Sequence, residues 1–332
     1  MTIAIRFRGA FRRIAVGALA SAVFALPAAA ADLPVLKLGL QLSGTVNWEV
    51  DTIRHEGFDR ANGIELQVQD VAVGPAGQVA LQAGEVDAIV SDWLWVARQR
   101  ADGKDLVFIP YSRAVGGLMV PKDSPAKTLA DLKGGKIGIA GGPVDKSWLI
   151  LRAYAEQQEK IDLAATTEQV FGAPPLIYKA ALSGEVQAAL NFWHFGAKMQ
   201  AAGMRELLSV TEAGRALGLD PDTPLLGYVL RGEVVRDHPE VAKALAAASK
   251  QAKERLATSA DAWDRLRPMM NAEDDAQFEA LKAGYIAGIP ADGPVSEEAA
   301  GKMLALMASL GGEELVGKAT TLPKGVFWTP GS

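Results

Sequence analysis

A two-lobed α/β chain, with mainly parallel sheets flanked by helices and a ligand cleft between the lobes, is predicted by three features of the sequence. Short β-type runs alternate with helical patterns through most of its length, two similar segments recur a hundred residues apart, and the last hundred residues turn almost wholly helical. Alternation of the first kind builds sheets whose parallel strands are joined by helices.

The strands are short, rich in branched residues and mostly bounded by Gly, Pro or Asp: Val35–Leu40, Glu65–Val71, Asp87–Val90, Leu106–Ile109, Gly117–Val120 and Lys136–Ala140. Helical patterns lie between them at Trp48–Asn62, Pro75–Ala83 and Trp93–Gly103. His238-Pro239-Glu240 then opens a helix with proline in its first turn, and Val241, Leu245, Ala248, Ala252 and Leu256 form one apolar stripe along it.

The repeat is the most informative feature. Gly84–Gly103 reads GEVDAIVSDWLWVARQRADG and Gly184–Gly203 reads GEVQAALNFWHFGAKMQAAG, with eight of twenty positions identical and no gap. Upstream, Leu38-Gly39-Leu40 and Ile137-Gly138-Ile139 each lead through a polar loop to Trp48 and Trp148. A period of a hundred is too long for a solenoid and fits two lobes of similar construction. We assign residues 32–113 with 229–332 to the first lobe and 114–228 to the second. Ligands of open α/β sheets bind beyond the carboxyl ends of strands. The loops holding Ser43 and Trp48, Ser91-Asp92-Trp93, Gly142 with Ser147 and Trp148, and Asn191 with Trp193 should therefore converge on one cleft.

The N-terminus carries Arg6, Arg8, Arg12 and Arg13, then an apolar run of 13 residues from Ile14 to Leu26, then Pro27 and four alanines. That is the pattern of a secretory signal, too short to span a bilayer, with cleavage expected after Ala30 or Ala31. The chain has no cysteine. It therefore offers no lipid attachment point, disulfide, thiolate metal site or thiol nucleophile, and a released periplasmic protein, not a lipoprotein, is expected. Removing residues 1–31 leaves 30 basic against 39 acidic side chains, a net charge of −9. With no Lys/Arg cluster, that balance argues against nucleic acid as a partner.

Three stretches carry a family resemblance. LQAGEVDAIVSD, LMVPKDSPAKTLADLKGGKIGIAGG and LRGEVVRDHPEVAKAL resemble blocks of the substrate-binding proteins for nitrate, aliphatic sulfonates, taurine and pyrimidine precursors. The resemblance covers roughly residues 35–256. It implies a type II periplasmic binding fold, delivery of a small solute to the permease of an ABC importer with its separate ATPase, a monomer, and no cofactor. Pro143 stands where the family often has a serine, so any role of that hydroxyl passes to Ser147 or lapses.

The candidate ligand residues carry two readings each. Trp48, Trp93, Trp148 and Trp193 either face a solute or pack their own lobes. Asp92 either pairs with an ammonium group or caps the helix behind it. Arg113 is a bidentate partner for an anion or a solvated hinge residue. Ser43, Gly142 and Ser147 can offer donors to an anionic head at helix N-termini, while Ser91, Asn191 and Tyr228 complete the set. Glu49 and Asp51, near the start of a helix, read as solvated acids favoured there by the helix dipole. Aromatic faces, one acid and opposing donors favour a solute with both an amine and an anion, such as taurine. A planar pyrimidine is the alternative.

Catalysis is not expected. His55, His194 and His238 are the only histidines, none has metal-ligand spacing, and no nucleophile elbow or phosphate loop occurs. The pyrimidine-precursor synthases that resemble the family rely on cysteine- and histidine-bearing segments absent here. An adaptor presenting its solute to a membrane sensor is the remaining alternative.

Overall fold

Ten strands form in the computed structural model, which describes residues 33–41, 44–71 and 74–329 besides Met1. They are β1 (Val35–Leu40), β2 (Glu65–Asp70), β3 (Ala88–Asp92), β4 (Leu106–Ser112), β5 (Gly117–Val120), β6 (Lys136–Ala140), β7 (Glu168–Gly172), β8 (Ala188–Asn191), β9 (Arg205–Ser209) and β10 (Leu226–Arg231). The helices are α1 (Val46–Glu56), α2 (Phe58–Ala61), α3 (Gly74–Ala83), α4 (Trp93–Ala101), α5 (Lys146–Tyr154), α6 (Leu163–Thr166) and α7 (Pro174–Leu182). They continue as α8 (Trp193–Ala201), α9 (Val210–Ala216), α10 (Gly232–Asp237), α11 (Pro239–Thr258), α12 (Ala260–Met270), α13 (Asp275–Ala287) and α14 (Glu297–Val316). The expected export signal, from residue 2 onward, and Ser43 lie outside the described residues.

Two five-stranded sheets result, ordered β2-β1-β3-β10-β4 and β7-β6-β8-β5-β9. In the first, β1 pairs in parallel with β2 and β3, while β10 runs antiparallel to both β3 and β4. The second repeats the plan, with β6 parallel to β7 and β8 and β5 antiparallel to β8 and β9. The reversed strand of each sheet is thus the one reached by a crossover from the other. β5 and β8 are buried at every residue, and apart from Asn191 at the end of β8 they are apolar, as suits strands covered on both faces. The repeated segments occupy equivalent places, β3–α4 and β8–α8. The expected lobe boundary at 228/229 falls inside β10, which pairs with the first sheet along its whole length from Leu226.

The expected helix over Trp48–Asn62 is broken at Gly57, whose φ of 70° ends α1 in the left-handed conformation that glycine adopts without a Cβ clash. Its amide donates to the Ile53 carbonyl, and α2 restarts at Phe58. The helical tail touches both halves. α13 lies against α8, and α14 packs on α4 and α5. Gly284 of α13 admits the Trp193 indole so closely that a Cβ there would stand 2.8 Å from the ring.

Candidate functional site

A cleft of about 600 Å³ opens between the two sheets, at the carboxyl ends of their strands as open α/β sheets require. The first sheet contributes Gln41, Gly44 and Thr45 after β1, Trp48 of α1, the end of β3 with Asp92, and Tyr111 near the end of β4. Asp145, Lys146 and Ser147 enter from the second, with Pro174 and Pro175 and the run Phe192–Phe195. Met269, Met270 and Leu281 of the tail close one side.

Four of the expected site residues meet here: Trp48, Asp92, Ser147 and Trp193. The two indoles stand edge to face, with centroids 6.0 Å apart and planes at 89°. Trp48 is only 4% exposed, because Trp263 and Tyr285 pack on it from behind. Trp193 is half-buried and adjoins His194, whose ring lies 4.6 Å from that of Phe195.

Asp92 caps the helix behind it, one of its two expected roles, and its other oxygen has a cationic partner within the chain. Oδ1 accepts the Trp95 amide at 2.9 Å and caps α4. Oδ2 pairs with the Lys146 ammonium at 3.1 Å, a charge contact joining the two halves of the cleft. Burial lowers the Lys146 pKa, but the charge and hydrogen bond of Asp92, with Asp145 behind them, outweigh it and the net shift is upward. Asp145 caps α5, its Oδ1 accepting the amides of Ser147 at 3.0 Å and Trp148 at 3.1 Å. Burial raises its pKa despite those bonds.

The other expected residues that the structure describes lie outside the cleft lining. Trp93 is fully buried in the core against Phe327, at a centroid distance of 5.6 Å, and Trp148 is buried with it in the same cluster. Both indoles are packed in the core, the second of the two readings of each. Tyr228 is buried and donates to Glu49 Oε1 at 2.7 Å. Asn191 ties its own loop, donating to the Pro174 carbonyl at 2.9 Å and accepting the Phe192 amide at 2.8 Å. Ser91 Oγ contacts Gln78 Nε2 at 3.3 Å, and Gly142 is outside the cleft lining. Arg113 pairs with Asp222 and donates to the Ala287 carbonyl at 3.3 Å, beside a separate cavity of about 50 Å³.

Glu49 is the largest departure from expectation. Instead of being solvated it is fully buried, and it accepts from the Tyr228, Ser249 and Tyr285 hydroxyls at 2.7, 2.6 and 2.8 Å and from Lys253 at 2.8 Å. This cluster backs the cleft floor, where the Lys253 ammonium lies 5.1 Å from the centre of the Tyr111 ring. Burial, then the charge of Glu49, pushes the Tyr111 phenol far above its usual range and keeps it protonated. Its hydroxyl has Thr45 Oγ1 at 3.5 Å.

Tyr111, Lys146 and Lys198 are cleft residues that sequence reasoning did not single out, whereas His194, beside Trp193, reads from the sequence as either a solute contact or a packing residue and lines the cleft. Burial, and secondarily the Lys198 charge, holds the His194 pKa at about 4 against the usual 6.5. An unfolded chain takes up that proton as pH falls through 6.5, and the folded chain does not until about 4. Folding stability is therefore lost across that window and is fully present above it. Urea midpoints at pH 7 and pH 4.5 should fall further for the native chain than for His194→Gln. Equal falls would mean that the imidazole is not held neutral.

Among the described residues no cluster of three or more His, Asp or Glu side chains is placed to hold a metal ion, and no helix is long and apolar enough to cross a membrane.

The same two-lobed architecture recurs in solved structures. The periplasmic aliphatic sulphonate binding protein SsuA of Escherichia coli superposes with a TM-score of 0.67 at 20% identity, covering 88% of this chain and 95% of its own. The alkanesulfonate-binding protein of Xanthomonas axonopodis pv. citri, bound to MOPS, gives 0.66 at 18%, covering 90% and 99%. The periplasmic nitrate-binding protein NrtA of Synechocystis PCC 6803 gives 0.53 at 15%, covering 75% and 69%. At such identities the likeness establishes the fold, that of two-lobed periplasmic binding proteins. No curated protein sequence matches the chain. A family profile described as NMT1/THI5 like matches residues 53–261, well over half of the sequence, and the chain belongs to that family.

Proposed function

We propose that the chain is an exported, monomeric solute-binding receptor that hands a small organic solute to the permease of an ABC importer driven by a separate ATPase. The basic, apolar and small-residue order of its N-terminus supports export. The periplasmic binding proteins that share its fold support the receptor role. The lobes are taken as expected, 32–113 with 229–332 and 114–228, except that the second crossing is set before Leu226 so that β10 stays whole.

One observation carries the choice of solute: an ion pair, Asp92–Lys146, spans the cleft beside the aromatic wall of Trp48 and Trp193. A zwitterion entering there exchanges pair for pair, its ammonium meeting Asp92 and its anion meeting Lys146. Nitrate would leave Asp92 unpaired, and an uncompensated charge in a partly buried site is costly. An aminosulfonate of taurine type meets the requirement. The pyrimidine alternative is weaker, because indoles at 89° do not form parallel plates for a flat ring.

Calorimetry and thermal shift with taurine, nitrate and a pyrimidine test this reading. Taurine at a hundredfold excess over its dissociation constant should stabilise the fold by about 2.7 kcal/mol. Stabilisation by nitrate and not by taurine would reject the zwitterion. In a deletion strain, lost uptake of labelled solute supports transport, whereas lost gene induction alone would make the protein a sensor adaptor.

A further inference from the structure

We propose that Lys146 sets the charge selectivity of the cleft: its ammonium stands in the subsite for the solute's own ammonium and leaves it when the solute binds. The inference rests on reading the cleft as a solute site and specifies how that site discriminates.

Lys146 is the first residue of α5, on the second-sheet side, and Asp92 ends β3 on the first. Both Asp92 and Asp145 commit Oδ1 to capping a helix, which fixes the two carboxylates in place. The partner of Asp92 Oδ2 is the lysine, held at 3.1 Å across the cleft. Asp145 is close enough for its charge to act on both Lys146 and Asp92. The lysine is thus a cation seated among acids, inside a cavity large enough for a small solute, on a four-carbon stem that can swing aside.

The remaining charge lining the cleft is Lys198, which is held by the Asn271 carbonyl. Asp92 and Asp145 therefore balance Lys146 and Lys198. A simple organic cation that takes the Asp92 subsite strands the Lys146 charge beside it, an unfavourable like-charge arrangement. A solute that also carries an anion gives the displaced ammonium a new partner. One flexible lysine thereby turns a cation site into a zwitterion site, which is discrimination by a built-in repulsive element.

The test is calorimetry of the full chain, in a buffer without primary amines, with n-propylammonium and taurine as probes. Lys146→Met keeps the length and apolar stem and removes the charge. It should bind n-propylammonium at least tenfold more tightly than the native chain and taurine at least tenfold more weakly. Adding Asp92→Asn should abolish the gain. Lys146→Gln gives a second, polar version should the methionine variant fold poorly. Failure of both variants to gain affinity for n-propylammonium would overturn the inference, whatever taurine does. If the amine gain occurs and no form binds taurine, the selectivity device stands and the aminosulfonate reading falls.

Discussion

Glu49→Ala should lower folding stability by about 3–5 kcal/mol, the range for stripping one partner from a buried ion pair. Glu49 is fully buried, and its removal leaves the Lys253 ammonium without its counter-charge and three hydroxyls without their acceptor. Glu49→Gln keeps the shape and part of the bonding, so it should lose less. A paired replacement, Glu49→Met with Lys253→Met, should recover part of the loss, because deleting both charges of a buried pair costs less than deleting one. Urea denaturation measures all three. A loss below about 1 kcal/mol in Glu49→Ala, a typical single hydrogen bond, would show that the cluster is not the keystone of the cleft floor.

Asp92→Ala should show two separable losses. The α4 cap disappears, costing about 1 kcal/mol of stability. The ammonium partner disappears too, weakening a cationic or zwitterionic solute by about 1.5–3 kcal/mol, the range for charged hydrogen bonds. Asp92→Asn separates them, since an amide oxygen still caps but carries no charge. It should fold like the native chain and bind taurine about as weakly as the alanine variant. Titration calorimetry showing native affinity in both variants would leave Asp92 as a cap alone and would withdraw the amine assignment.

Strands β1 to β6 were legible because period and composition are local properties, while β7 and β9 were not read. Val35–Leu40, Gly117–Val120 and Lys136–Ala140 have the bounds read from the sequence, and the repeat located β8 through its likeness to β3. The site was legible only as loops. Trp93 and Trp193 occupy equivalent positions at the start of helices, yet one is buried against Phe327 and the other lines the cleft against Trp48. Their difference is set by partners far away in the chain, which no local pattern reports. Glu49 failed for the same reason. An acid at a helix start suits the dipole and looks solvated, while its donors Tyr228, Ser249, Lys253 and Tyr285 arrive from 179 to 236 residues downstream. Lys146 lies in a loop that the sequence brings to the cleft, but its pairing with Asp92 needs both sheets in place.

The close approach of α13 to α8 carries a consequence for the history of the sequence. The Trp193 indole occupies the space that a side chain at position 284 would fill. The two positions are therefore under one joint constraint, although 91 residues separate them. A lineage that acquires alanine at 284 must shrink or turn the ring at 193, and a smaller ring at 193 frees 284 from glycine. Across the family the pair should covary, and the cleft's aromatic wall should change in step with a position on α13 that does not itself line the cleft.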